Sequence, residues 1–376
     1  MIVGPIFRLA AKIATYLLYA VTILAAYSGR LNPDFFSYSS LLVLLLPYLA
    51  VASMVVSLIW IFSKRLITGG IGIAVIAAAW SPISTAVPVG HSKEPDAGAK
   101  TITVMSYNII HGWDQTQNVA NPMDQIGNPA FAYVLNSGAD IVCLQEVTKY
   151  EDWEVPNLTQ EFKDSLFKVY PYHEDTTVSD TKVLSKYPIE RIPSNEIIKD
   201  DRLDVRRYTF YKLNVDGRKL MLVNMHLASA LLSEEERNVV TEMTSVDGAK
   251  SSISQMKSSI GHKLKESTQK RKIDATLLRD AVADIDCPLI ICGDMNDVPE
   301  SYVYRILRNG GLKDAYVDTG FGPMITYNQH MFWFHLDQIF YRGAIKPLSV
   351  EKGDVKYSDH YPLIAKFQFI GLDPAE

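Results

Sequence analysis

From Ser40 to Phe62 the chain runs without a single charged side chain. A helix needs ~20 mostly apolar residues to cross a bilayer, and soluble helices of that length almost always carry charge. This stretch commits part of the chain to a membrane. Two further apolar runs flank it. Ile13 to Ser28 precedes it and can extend back through Phe7 to Ala11; Leu66 to Val89 follows, also uncharged but rich in Gly, Ala, Ser and Pro. The expected organisation is a membrane region over residues 1–89 with about three transmembrane helices. A polar linker follows over 90–100 (GHSKEPDAGAK), and then a second domain over 101–376. A cleaved signal peptide fits poorly, because two more apolar runs follow the first.

Charge sets the expected orientation. Arg8 and Lys12 precede the first run, and Lys64 and Arg65 separate the second from the third. The positive-inside rule places both groups in the cytoplasm, so three spans deliver residue 90 to the far side. The second domain is thus expected to be extracytoplasmic. Only five of the 37 basic residues and one of the 42 acidic residues fall in the first 90, which leaves 32 against 41, a net charge of −9, for the remainder. That balance argues against tight non-specific nucleic-acid binding, which rests on neutralising phosphates. The 3 cysteines, Cys143, Cys287 and Cys292, are too few for a disulfide framework and are expected as small buried apolar residues.

Beyond Thr101 the pattern changes to short β-branched or aromatic runs bounded by turn residues. Ile102–Ile110, Ile141–Val147, Leu220–Leu227, Leu289–Cys292, Leu336–Tyr341 and Tyr361–Phe369 read as strands. Helices are expected over Ala130–Leu135, stopped by Gly138, and over Thr268–Ile285, where Ile273, Leu277 and Ile285 share one face. The mixture predicts an α/β sandwich. The segment Ser229–Lys272 stands apart as an insertion. Between Lys250 and Lys272 it sets seven basic residues against Glu266. A solvated helix or loop is the first reading, and a basic lip meeting anionic lipid or a polyanionic substrate is the second.

The apolar runs end in residues that do chemistry: Asn108, Glu146, Asn224 and His226, Asp294 and Asn296, and Asp359-His360. Singly, each has an ordinary role. An Asn after a strand is usually a turn residue, a lone His is often a core residue, and Asp297 can cap a helix begun at Pro299. Together they form a toolkit for metal-assisted phosphoester hydrolysis. Glu146, Asp294 and Asp359 offer the hard oxygen ligands that Mg²⁺ takes alongside a substrate phosphate. Asp337 is placed to orient His360 as a proton acceptor or as a stabiliser of an anionic phosphorus centre. Asn108, Asn224 and Asn296 can donate to phosphoryl oxygens or orient a nucleophile. His226 can protonate the leaving oxygen or stabilise the transition state.

Seven ordered segments carry a resemblance: Met105-Ser106-Tyr107-Asn108-Ile109, Leu144-Gln145-Glu146-Val147, Leu184-Ser185-Lys186-Tyr187-Pro188-Ile189, Val223-Asn224-Met225-His226-Leu227, Gly293-Asp294-Met295-Asn296, Leu336-Asp337-Gln338-Ile339-Phe340 and Ser358-Asp359-His360-Tyr361-Pro362. From Thr101 to Ile370 the chain resembles the endonuclease/exonuclease/phosphatase superfamily. That resemblance implies a four-layer DNase I-like α/β sandwich, a divalent ion (usually Mg²⁺, with Mn²⁺ as an alternative) and direct attack of water on phosphorus. It implies Glu146 as the main metal ligand, with Asn108 and Asp359 near the metal. Asp294 and Asn296 position or activate water and phosphate, His226 stabilises the phosphoryl group, and Asp337 pairs with His360. Two departures stand out. The segment Ser179–Val183 lacks the family's glycine and small apolar residues, and His335 replaces the basic residue common before the late Leu-Asp. The superfamily acts on DNA, RNA, inositol phosphates and sphingomyelin. The membrane region favours a lipid headgroup, cut by a sphingomyelinase-like phosphodiesterase or a phosphatase. An exported nuclease and a membrane-tethered binding module without turnover are the alternatives.

Overall fold

The computed structural model describes residues 3–117, 127–147, 155, 157–174, 179–230, 252–329 and 332–371. It opens with helices α1 (Val3–Ser28), α2 (Ser39–Phe62), α3 (Leu66–Ala78) and α4 (Trp80–Ala86). From Ile6 onward α1 is long and apolar enough to cross a bilayer, as is α2, whereas α3 and α4 qualify only as one broken span bent by 60°. The run expected as a single third span is therefore two pieces. Pro82 accounts for the break: it has no N–H, and its ring crowds the carbonyl four residues back, at Ala78, the last residue of α3. Neutral hydroxyls join the helices. Tyr19 Oη meets Ser57 Oγ at 2.8 Å, Thr22 Oγ1 meets Ser53 Oγ at 2.8 Å, and Trp60 Nε1 donates to Thr15 Oγ1 at 2.9 Å. Leu17, Tyr48, Val51 and Ile67 stay exposed on the outside, as lipid-facing positions should.

The rest alternates strand and helix. In order come β1 (Thr101–Asn108), α5 (Pro129–Asn136), β2 (Ile141–Gln145), α6 (Gln160–Val169), β3 (Tyr172–His173), β4 (Thr181–Ser185), β5 (Ile189–Ile192), α7 (Ser194–Ile197), β6 (Tyr208–Val215) and β7 (Arg218–His226). Then come α8 (Ser252–Ala281), β8 (Leu289–Asp294), α9 (Tyr302–Asn309), β9 (Lys313–Asp314), α10 (Ala315–Thr319), β10 (Tyr327–Gln329), β11 (Phe332–Phe334), β12 (Asp337–Arg342), β13 (Ile345–Lys352) and β14 (Leu363–Phe369). One six-stranded sheet has the order β13-β14-β1-β2-β4-β3, and the other β5-β6-β7-β8-β12-β9. Alternation along the strands makes this a sandwich. Val104, Cys143 and Val183 of the first sheet and Leu222, Cys292 and Ile339 of the second share the central core. The outer face of the first sheet buries Met105, Val142 and Leu184 with Phe131 and Val134 of α5. The outer face of the second buries Val223, Ile291 and Phe340 with Leu278 of α8 and Leu307 of α9. The fold is a four-layer DNase I-like α/β sandwich behind an apolar helical region.

Three local outcomes differ from the sequence reading. The helix expected over Thr268–Ile285 begins at Ser252 and ends at Ala281, so the described part of the 229–272 insertion is largely helix; residues 231–251 lie outside the described residues. Asp297 caps no helix: α9 starts at Tyr302 and is capped by Ser301, whose Oγ accepts from the Tyr304 N–H. Cys287 lies before β8 and is half-buried, while Cys143 and Cys292 are buried as expected, and all three are free thiols.

Candidate active site

Three neighbouring strands of the second sheet come to one edge. His226 closes β7, Asp294 closes β8 and Asp337 opens β12, and the register sets His226 beside Asp294 and Asp294 beside Asp337. Gly293 makes this possible. It adopts φ +142°, and a Cβ there would lie 1.8 Å from the Met225 carbonyl oxygen, so only glycine lets β7 and β8 close up under Asp294. In the first sheet Asn108 ends β1 opposite Gln145, the last residue of β2. Glu146 follows in the left-handed region at φ +60°, and Asn296 does the same at +52°. Such conformations are uncommon outside glycine and collect at functional sites. Asn108 Nδ2 donates to Glu146 Oε1 at 3.0 Å and to Asp294 Oδ2 at 3.2 Å, bridging the two sheets, while its Oδ1 accepts from the Ile110 N–H at 3.1 Å. Asn296 donates its N–H to Asp294 Oδ1 at 2.7 Å and its Nδ2 to the Leu227 carbonyl at 3.0 Å.

Two histidine–carboxylate pairs flank Asp294. His360 Nδ1 lies 2.7 Å from Asp337 Oδ2, and its Nε2 lies 3.5 Å from Asp294 Oδ2. His226 Nδ1 lies 2.9 Å from Asp180 Oδ2, with its Nε2 3.8 Å from both Asp294 Oδ2 and Glu146 Oε1. Both rings are buried. Burial alone would discharge them, but the carboxylates win: Asp180 chiefly holds His226 up at about 9, and Asp337 with Asp294 holds His360 at about 10. Burial also pushes the Asp294 carboxyl up, to about 6, against the pull of the two imidazoles. Asp180 is the residue the sequence reading missed. It sits in Ser179–Val183, the segment noted for its departure from the family pattern, and its carboxylate just ahead of β4 was the available signal. His335, by contrast, is buried edge-on against Tyr316, and burial lowers its pKa to about 4. It is a neutral core residue and supplies no cationic group.

A cavity of about 460 Å³ opens over this cluster. Glu146, Asp294, Asn296, Asp359 and His360 line it. Asn108, His226 and Asp337 sit directly behind, each in contact with a lining carboxylate or imidazole. The structure does not bring Asn224 to the cavity. Asn224 is fully buried, accepts from Gln145 Nε2 at 2.7 Å and donates to the Leu144 and Lys182 carbonyls at 3.0 Å, so its amide ties β7 to β2 and β4.

Residues 116–360, well over half of the chain, match the model of the Endonuclease/Exonuclease/phosphatase family. The chain belongs to that family. It is therefore a metal-dependent hydrolase of phosphoester bonds. Asn108 lies ahead of the matched segment. Residues 8–86 match a second model, described as a domain of unknown function (DUF8431). A curated relative, the CCR4-Not complex 3'-5'-exoribonuclease subunit Ccr4 of Mycosarcoma maydis, is 25% identical over 257 residues, 59% of this chain. The chain spans only 38% of that relative's length. Among solved structures, an endonuclease/exonuclease/phosphatase from Bacteroides vulgatus is 17% identical with a TM-score of 0.45, covering 72% of this chain and 99% of that one. Truncated TDP2 from Caenorhabditis elegans is 20% identical with a TM-score of 0.42, covering 71% and 97%.

A divalent ion fits the residues present. Asp294, Asp337 and His360 offer ligand atoms within 4.8 Å of one another. Glu146 and Asp359 add carboxylate oxygens on the cavity wall, the hard donor type that Mg²⁺ prefers. Among the described residues, His226 Nε2 and Asp337 Oδ1 are buried with no hydrogen-bond partner, and buried polar atoms of this kind call for a substrate, a water or an ion to complete them. Asp337 also holds His360 Nδ1.

Proposed function

We propose that this family member hydrolyses a phosphoester in the headgroup of a membrane lipid, outside the cytoplasm, with Mg²⁺ as its natural ion and Mn²⁺ as a substitute. The observation that carries the reading is the attachment of the site to one end of the helical region. Ser40 Oγ, at the start of α2, donates to Asp297 Oδ2 at 3.3 Å. Lys272 of α8 reaches the α1–α2 loop, with Nζ 3.0 Å from Asn32 Oδ1 and 2.5 Å from Asp34 Oδ2. Lys64 and Arg65 lie at the opposite end of α2. If those basic residues face the cytoplasm, the catalytic site lies at the outer membrane surface.

In this reading Glu146 is the main metal ligand, with Asp359 beside it and Asn108 aligning the Glu146 and Asp294 carboxylates. An ion held by these residues would supply charge neutralisation and Lewis acidity to the phosphoester. Asp294, raised by burial and steadied by the Asn296 N–H, accepts the proton of the attacking water, and Asn296 orients that water. His360, held in one tautomer and kept charged by Asp337, stabilises the developing negative charge on phosphorus. His226, held by Asp180, does the same from the other side and can pass a proton to the leaving oxygen. The test is Mg²⁺-dependent hydrolysis by the full chain in detergent, offered sphingomyelin, phosphoinositides and plasmid DNA in parallel. Headgroup release supports the lipid reading. Cleavage of nucleic acid alone supports the second reading, an exported nuclease, which the similarity to an exoribonuclease subunit favours.

A further inference from the structure

The cavity over the catalytic cluster is not walled by the sandwich alone. One side is built by the membrane region itself: Ser37, Tyr38, Ser40, Leu41 and Leu44, from the end of the α1–α2 loop and the first turns of α2, line it. The facing side is α8, through Ile260, Gly261, Leu264 and Thr268. The two walls are fitted closely. The Tyr38 hydroxyl lies where a Cβ on Gly261 would be only 2.9 Å away, so a glycine is what allows α8 to approach the loop. A buried arginine braces the junction. Arg271 is only 5% exposed, donates to the Ala228 carbonyl at 2.9 Å and to Thr268 Oγ1 at 3.0 Å, and stands 3.5 Å from Asp297, the residue that also takes the Ser40 hydroxyl.

The cavity lining is of two chemical kinds. Glu146, Asp294, Asp359 and His360 supply ionisable groups. Leu41, Leu44, Ile260 and Leu264 supply apolar surface, and Leu41 and Leu44 belong to α2. Leu41 is 47% exposed, and beyond it Leu45, Tyr48 and Val51 line the lipid-facing side of the same helix. Apolar side chains beside a catalytic cluster, next to the exposed apolar face of a helix long enough to span a bilayer, fit one kind of occupant. Its phosphoester sits at the carboxylates and imidazoles, and its hydrocarbon stays in the bilayer. A soluble nucleotide or inositol phosphate would leave the apolar half unfilled.

We propose that the start of α2 is a substrate-binding wall, so that a membrane-resident amphiphile enters the site sideways from the bilayer with its tail against Leu41 and Leu44. This rests on the lipid reading above and adds to it that the helical region selects the substrate rather than only anchoring the enzyme. On this account Leu41 and Leu44 are specificity-determining positions with no part in the bond-breaking step.

The test uses the full chain in lipid nanodiscs and two probes with the same headgroup: long-chain sphingomyelin in the bilayer, and water-soluble p-nitrophenyl phosphorylcholine. Leu41→Ala and Leu44→Ala each remove apolar contact equivalent to a few methylenes, so kcat/KM on the bilayer substrate should fall about tenfold or more, with the loss chiefly in KM. Turnover of the soluble probe should stay within about twofold, which also shows that the variants fold; Leu44→Ile should restore the bilayer rate. Equal losses on both probes, or no loss on either, would overturn the proposal. If the wild-type chain turns over the soluble probe or plasmid DNA but releases no headgroup from bilayer lipid, the lipid reading itself is what fails.

Discussion

The helical region and the sandwich both bury polar groups, and they do so in opposite ways. In the helices the buried polar groups are neutral, and some hydroxyls pair with each other: Tyr19 with Ser57, and Thr22 with Ser53. Each pair is complete, and neither leaves charge inside. At the sandwich edge the buried groups are ionisable: His226 with Asp180, His360 with Asp337, and Asp294 between them. Some atoms there, His226 Nε2 and Asp337 Oδ1 among them, have no hydrogen-bond partner among the described residues. Neutral pairs hold helices together where water is absent. Unbalanced charge in a core is costly and is kept where a ligand completes it. The two regions are also joined, since Ser40 and the Asn32–Asp34 loop grip Asp297 and Lys272.

That contrast can be broken at several points. The largest effect is expected at His360. His360→Ala should lower turnover by ~10³-fold or more, with the full chain still eluting as a folded species from size exclusion; a variant retaining more than a tenth of the activity would remove His360 from the chemistry. Asp337→Asn keeps the shape but loses the charge that holds the ring, and a fall of ~10²-fold is expected in kcat with little change in KM. Asp180→Asn should cost less, ~10-fold to 10²-fold, because His226 lies farther from Asp294 than His360 does. If Asp180→Asn costs nothing, the second pair is structural.

Stability of the chelated protein should also follow pH. Folding raises both imidazoles above the ordinary value of ~6.5, to about 9 and about 10. The folded state then binds those protons more tightly than the unfolded state does. Their stabilising contribution is complete below about pH 6.5 and is lost as pH rises toward 10. Asp294, at about 6, has already ionised across most of that window. The melting temperature of the metal-free chain should therefore drop between pH 7 and pH 10, and Asp337→Asn should flatten the slope. The smallest effect is expected in the membrane region. Thr22→Val breaks the pair with Ser53 and should cost ~0.6 kcal/mol, the average for such interhelical bonds, with no change in kcat. A large loss of activity there would mean that the helices do more than hold and wall the site.

Much of this was legible in the sequence, for identifiable reasons. Strands such as Ile141–Gln145 and Leu289–Asp294 are buried on both sides, so they appear as unbroken apolar runs, and the chemistry starts where the runs stop. Edge and outer strands were harder to find. Tyr208–Val215 mixes Lys212 and Asn214 with apolar residues because its far end faces solvent. Asp180 escaped notice because it comes before its strand, since β4 runs antiparallel to β2, and no motif marked it, whereas Leu336-Asp337 and Ser358-Asp359-His360 marked the candidates that open or precede theirs. Asn224 shows the reverse case: its position after an apolar run suggested a site residue, but it shares a face with His226 and lies one repeat farther from the strand end. Two residues before His226, its amide is buried between the sheets. The seating of the α1–α2 loop against the cavity had no sequence signal, because it depends on contacts between segments more than 200 residues apart, such as Ser40 with Asp297 and Lys272 with Asp34.

The central claim is that the cluster around Glu146 is a metal-dependent active site facing the membrane. The most direct measurement is the initial rate of headgroup release from bilayer sphingomyelin by the reconstituted full chain. Mg²⁺ would be titrated from a chelated zero, with Glu146→Ala run alongside. The account predicts a saturable rise for the wild-type chain and a flat line for Glu146→Ala. A rate that is independent of Mg²⁺, or equal in the two proteins, would contradict it.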